Sequence, residues 1–287
     1  MNSFHIKSVI PWLSAVPLFV MALAGQVTDA AQTSSTATAE YSPYAEKQYP
    51  RRVLFGDTHL HSSWSTDAGM IGGTLGPESG YRVARGETVT SHLGWQVRLI
   101  RPLDFLVIAD HAENLGIADF IRRSDPLCLA NETCKRWHDL TKAGEGYQAF
   151  LEWLRSETGD QVNEPRMMES AWSSATELAD RYYQPGAFTT LHGFEWTSHP
   201  GGNNLHRVVI FRDGRDRTSQ VLPFSQFDSQ DPEDLWDYLD GYEKKTGGEV
   251  LALAHNGNFS NGMMFDTRTY SGKPLTRSYA EARSRWE

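Results

Sequence analysis

Five short apolar runs punctuate this chain, and most of them meet a histidine or an acid at one end. They are RRVLF (51–55), LDFLVIAD (103–110), AFTTLHGFEW (187–196), HRVVIFRD (206–213) and EVLALAHN (249–256). Their shortness and their Val, Ile, Leu and Phe content predict strands rather than helices. Between them, HLGWQVRLI (92–100) and ESAWSSATELADRYYQ (169–184) show helical spacing, and Trp172, Ala175, Leu178 and Tyr182 form one stripe. DPEDLWDYLDGYEKK (231–245) opens on Asp231 as an N-cap with Pro232 at the first helical position, and it runs to Gly247 and Gly248. Strand alternating with helix predicts an α/β domain with a mostly parallel sheet. Residues 68–90 hold six glycines without a nucleotide-binding pattern and are expected to form a flexible loop. Residues 115–165 are expected to be a helical insertion. Five strands are too few for a closed eight-stranded barrel.

The polar ends of these runs carry the chemistry. In GDTHLHSSWSTD (56–67), a strand over Val53–His61 would place Val53, Phe55, Asp57, His59 and His61 on one face. Histidines two apart on a strand are roughly 6–7 Å apart at Cα, close enough for both rings to converge on one ion. Asp57 is placed to orient one of the rings. Alone, the motif is equally a polar strand end. Similar ends recur, however: Asp110 and His111 close one run, Glu195 closes another, His206 opens a third, and His255 with Asn256 closes the last. Leaving so many polar groups buried and unpaired would cost several kcal/mol each. Their recurrence predicts a polynuclear metal site at the rim of the sheet.

Other polar residues have plainer explanations. His192 alternates away from Glu195 and is expected in the core. His92, His138 and His199 are expected to be structural or on the surface, and Asp104 lies at the far end of its strand from His111. No serine-hydrolase elbow surrounds Ser62, Ser63, Ser65 or Thr66, which are expected to close a loop and contact substrate. Asn203, Asn204, Asn256 and Asn258 neighbour the candidate ligands, and Arg82 and Arg85 are expected to be solvated loop charges.

The 287 residues carry a net charge of −9, which excludes non-specific nucleic-acid binding. MNSFHIKSVIPWLSAVPLFVMALAGQ has the layout of a secretory signal, expected over 1–24, with a polar linker over 25–50 and the α/β domain over 51–287. Export to the periplasm or beyond follows, with no stable membrane insertion after cleavage. In such an oxidising compartment Cys128 and Cys134 are expected to form a disulfide.

The ordered series D-x-H-x-H, D-H, G-x-E, a strand-opening His and A-H resembles the PHP (polymerase and histidinol phosphatase) superfamily of metal-dependent phosphoesterases. More narrowly, FGDTHLHSSWSTDA, GFEWTS, NNLHRVVIFRDG and AHNGNFSNGMMF resemble the uncharacterised bacterial group called domain of unknown function 3604, over roughly residues 50–287. The resemblance implies a PHP-like distorted (β/α) barrel holding two or three divalent ions, Zn, Mn or Fe. His59 and His61 match the first metal-binding pair, Asp67 a third ligand, His111 the next, Glu195 a bridging carboxylate, and His206 and His255 the later histidines. Asp57, Asp110 and Asn256 would support these ligands. The superfamily's closing D-x-H has no counterpart before Glu287, so the barrel is expected to lack its C-terminal units. The expected function is an exported metal-dependent hydrolase acting on a small anionic substrate, a phosphate ester, with Glu195 and His111 at the reacting centre. The same ions would serve another ester or an amide, and a truncated, non-catalytic metal-binding protein is the remaining alternative.

Overall fold

One curled sheet of five strands, in the order β1-β4-β5-β6-β7, organises the computed structural model into an open half-barrel. The structure describes residues 52–155, 162 and 164–287; the expected signal and the expected linker both lie outside the described residues. Strand β1 is Gly56–Leu60 and is followed by α1 (Thr66–Met70) and α2 (Pro77–Ala84). A small ribbon pairs β2 (Val89–Thr90) with β3 (Gln96–Val97) before β4 (Phe105–Ile108). Helices α3 (Ile117–Arg122), α4 (Pro126–Ala130), α5 (Glu132–Lys142) and α6 (Gly146–Leu154) form the insertion. The long α7 (Pro165–Tyr182) leads to β5 (Thr189–Trp196), β6 (Arg207–Phe211) and α8 (Arg215–Thr218). Helix α9 (Pro232–Thr246), β7 (Val250–Ala254) and α10 (Arg277–Trp286) complete the described fold.

Several sequence expectations are corrected. The sheet is mixed: β1, β4 and β5 are parallel, but β6 runs antiparallel to both β5 and β7. The β5–β6 link, residues 197–206, is shorter than the dozen or more residues a parallel crossover needs, so the chain turns straight back. RRVLF is not a strand; Val53, Leu54 and Phe55 are exposed, and the Phe55 N–H goes to Asp104 rather than to a neighbouring strand. HLGWQVRLI is not a helix. Gly94 takes a left-handed φ of 83°, a Ser91–Trp95 turn closes there, and the apolar Leu93, Trp95 and Ile100 face solvent. The glycine-rich stretch is not simply a flexible loop, since α1 ends in it, α2 crosses its middle and β2 begins at Val89. Its glycines serve close packing: a Cβ at Gly80 would stand 2.9 Å from the Leu60 side chain, and one at Gly69 would strike Ser63 O. Arg82 and Arg85 accordingly sit at the end of α2, paired with Glu87.

The outer face of the sheet packs Phe194, Trp196, Val209 and Phe211 against Leu235, Trp236, Leu239 and Tyr242 of α9 and Trp172 of α7. Asp231 caps α9 by accepting the Glu233 N–H, and Gly247 ends it at φ 67°, the left-handed stop that glycine takes without strain. The inner face presents Val107, Ala109, Val208 and Ile210. The insertion has its own core, with Trp137, Ala149 and Trp153 around the Cys128–Cys134 disulfide. Among the described residues no helix is long and apolar enough to cross a membrane.

Candidate metal centre

Strand direction decides which side chains meet. The C-terminal ends of β1, β4, β5 and β7 share one rim, and because β6 is reversed, its beginning lies on that rim too. His59 near the end of β1, His61 just past it, His111 after β4, Glu195 in the last turns of β5, His206 immediately before β6 and His255 immediately after β7 therefore converge. Backbone bridging of His111 to Glu195 extends the parallel pairing into the site itself.

Glu195 is the hub. Its side chain is 1% exposed, and its two oxygens face different histidine pairs. Oε2 lies 2.9 Å from His59 Nε2 and 2.7 Å from His61 Nε2, and those two nitrogens are 2.9 Å apart. Oε1 lies 2.6 Å from His206 Nδ1 and 3.0 Å from His255 Nε2. On the other side of His61, Nδ1 is 2.9 Å from Asp67 Oδ2, which is also 3.5 Å from His111 Nε2. Three overlapping groups result: His59, His61 and Glu195; His61, Asp67 and His111; Glu195, His206 and His255.

The electrostatics follow from burial working against close contact. Burial pushes the Glu195 carboxyl up, but His111 nearby and bonds from His206, His255 and His59 outweigh it and hold the group well below the usual carboxylate range. Asp67 is likewise held far down against its burial by His111 and His61. Burial lowers His61, yet Asp67 and Glu195 raise it to about 10. His111 is raised, against burial, chiefly by Glu195 and Asp67, whereas burial wins at His206 and lowers it to about 4.

This donor set fits divalent cations. Two imidazole nitrogens 2.9 Å apart, both also within 2.9 Å of Glu195 Oε2, bring three lone-pair atoms to one point, where a single cation can take all three as ligands. Tetrahedral nitrogen and oxygen ligands at about 2.0–2.1 Å stand about 3.3 Å from one another, so the triangle of His59, His61 and Glu195 is within about half an ångström of that spacing. His206 Nε2 and His255 Nδ1 are buried with no hydrogen-bond partner among the described residues.

The expected supporting residues sit differently. Asp57 is exposed and accepts the His59 main-chain N–H at 2.8 Å, so it braces backbone rather than a ring. Asp110 is buried and takes both the N–H and the hydroxyl of Ser62, and burial raises its carboxyl. Asn256 is exposed, with a left-handed φ of 53°. Ser62 and Ser65 are buried at the foot of the site, with Ser65 Oγ accepting the His111 N–H. His192 is in the core, between Asp180 and Thr218. His199 is half-buried, its ring centroid 6.0 Å from that of His206. Asn204 accepts the His206 N–H.

Three residues beside the cluster escaped the sequence analysis. Glu113, two positions after His111, is fully buried, and Thr197 touches the His111 ring. Trp153 of α6 lies with its ring centroid 5.6 Å from that of His111. The acid in DHAEN was visible as a signal; nothing in the sequence links Trp153, more than forty positions away, to His111.

Residues 48–287 match the family described as Protein of unknown function (DUF3604), and the chain belongs to that family. No curated protein and no solved structure gives a significant match.

Proposed function

We propose that this DUF3604 member is a PHP-like metal-dependent hydrolase that cleaves phosphate esters, with two or three Zn, Mn or Fe ions held at the strand rim. The observation that carries the proposal is Glu195, whose two buried oxygens each face a separate histidine pair, the arrangement a carboxylate needs to bridge two cations.

Divalent cations in such a site supply Lewis acidity toward a substrate oxygen and toward water. The chain's own part is to place and charge the site. His59, His61, His111, His206 and His255 would be the neutral donors, and Asp67 and Glu195 the anionic ones. Two dications against these two carboxylates leave a net positive pocket, which suits an anionic ester better than a neutral one. Approach is from the side of His59 and Asp67, whose side chains are 30% and 32% exposed, because Glu195 closes the opposite side. The Cys128–Cys134 disulfide suits an oxidising compartment, in keeping with an exported enzyme.

Metal analysis of the purified chain, followed by a panel of chromogenic phosphate, sulfate, carboxylate and amide substrates, tests the proposal. Near-stoichiometric metal with phosphate-ester turnover, both lost in His59→Ala, is the expected result. Metal-free protein that stays inactive after reconstitution with Zn²⁺, Mn²⁺ and Fe²⁺ would sink it.

A further inference from the structure

Two of the proposed ligands lie just outside the strands that deliver them. His206 precedes β6 and His255 follows β7, so the ladder bonds within those strands do not by themselves fix either ring. The loops that carry them are joined to each other: the Asn204 N–H donates to Phe259 O at 3.1 Å, and the His255 N–H to His206 O at 3.3 Å. Both loops are also tied to α10, through one carboxylate.

That carboxylate is Glu287, the C-cap of α10, whose side chain is 7% exposed. Each of its oxygens accepts from a different arginine, and each arginine holds a carbonyl of a different ligand loop. Arg207 Nε donates to Oε1 at 3.0 Å, and Nη1 of the same buried guanidinium donates to Leu205 O, next to His206. Arg283 Nε donates to Oε2 at 3.1 Å, and its Nη1 donates to Met264 O at 3.2 Å, in the loop after His255. Met264 is bonded back toward the start of that loop: its N–H donates to the fully buried Ser260 Oγ at 3.2 Å, and the Ser260 hydroxyl donates to Gly257 O at 2.7 Å.

We infer that Glu287, Arg207 and Arg283 are positioning residues for one of the three ligand groups, holding the His206 and His255 loops at the separation at which both rings meet a cation on Glu195 Oε1. This rests on the metal-centre reading above and names what sets one of its sites. A buried guanidinium that loses its carboxylate is left as an uncompensated charge and is driven to turn toward water. Arg207 would then release Leu205 O, and Arg283 Met264 O. The other two groups lack this dependence. The described side-chain bonds from α10 and Glu287 to other parts of the chain go to Arg207, Trp236, Glu243 and Met264, and none goes to His59, His61, Asp67 or His111.

The test uses the full chain, with Zn²⁺ and Co²⁺ as probes. Glu287→Gln keeps the size of the side chain and removes the charge that pairs two guanidinium groups. It should weaken one zinc-binding step about 10–100-fold, the range for outer-shell partners, and leave the other steps as in the wild type. In the Co²⁺-loaded protein the visible absorption of one site should shift while the rest is unchanged. Arg283→Met, at a side chain 31% exposed, should weaken the same step. Trp236→Phe removes the remaining bond to Glu287, which holds neither loop, and should lower the melting temperature with every zinc step unchanged. If Glu287→Gln does not fold, Arg283→Met decides the matter. Zinc binding unchanged in both variants overturns this inference alone, and so does equal weakening of every step, the result that lost fold stability by itself would give. A wild type that binds no zinc overturns the metal-centre reading and this inference with it.

Discussion

Glu195 Oε1 stands 2.6 Å from His206 Nδ1, although the two residues belong to strands that run in opposite directions. The reversal of β6 makes this contact possible: it brings the first residue before one strand level with the last turn of its neighbour. A parallel β6 would have carried His206 to the far end of the sheet.

Replacing Glu195 by Gln keeps the volume and removes the charge and one acceptor. Because both oxygens of Glu195 face histidine pairs, the substitution should disturb two ligand groups at once. Metal affinity should fall by more than the roughly 100-fold upper range seen for outer-shell partners. Elemental analysis after dialysis checks this, and retention of full metal content would remove Glu195 from its bridging role.

Metal uptake should depend on pH with a defined sign. His61 is raised to about 10 by Asp67 and Glu195, against its burial, so the metal-free ring is protonated at neutral pH. Because the folded value lies above the unfolded one, this proton stabilises the metal-free fold fully below the ordinary histidine value and ceases to do so as pH rises through about 10. A cation must displace that proton, so binding should weaken as pH falls and should release protons at pH 7. Titration with Zn²⁺ in weakly buffered solution, read by a pH indicator, should show acidification; a flat trace contradicts the ligand assignment of His61.

The disulfide should matter to the insertion and not to the metal. Cys128 and Cys134 are six positions apart and join α4 to α5. A loop this short corresponds to about 2 kcal/mol in the chain-entropy account. The double substitution Cys128→Ser with Cys134→Ser should lower thermal stability by that order while leaving metal content intact. Melting curves and elemental analysis on the same samples separate the two effects.

His192 serves as a control within the same strand. It is buried between Asp180 Oδ1 at 2.9 Å and Thr218 Oγ1 at 2.6 Å, on the face of β5 opposite Glu195. His192→Ala should destabilise the fold by about 1–3 kcal/mol, the range for leaving buried polar partners unsatisfied. Denaturant unfolding measures that loss, and a parallel fall in bound metal would show that the two faces of β5 are not independent.

The pattern of apolar runs identified four of the five main strands to within a few residues; β4, β5 and β6 are largely buried and so apolar along most of their length, and β7 is as apolar although Leu251 and Leu253 face solvent. The cap and stop of α9 were legible for an equally local reason: Asp231, Pro232 and Gly247 act through bonds and dihedrals within a few residues. HLGWQVRLI misled because its apolar residues, Leu99 apart, are exposed, and periodicity carries meaning only where a face is hidden. The glycines of residues 68–90 misled because glycine marks close approach as often as flexibility.

The sequence by itself determined which residue types end each strand, and so supplied a set of imidazoles and carboxylates with the chemistry of metal donors. Strand direction, order and curl were left to the tertiary structure, and with them which nitrogen meets which oxygen. Those depend on contacts between segments far apart in the chain, such as His59 with Glu195 or Glu113 with Gln226, which no local pattern encodes.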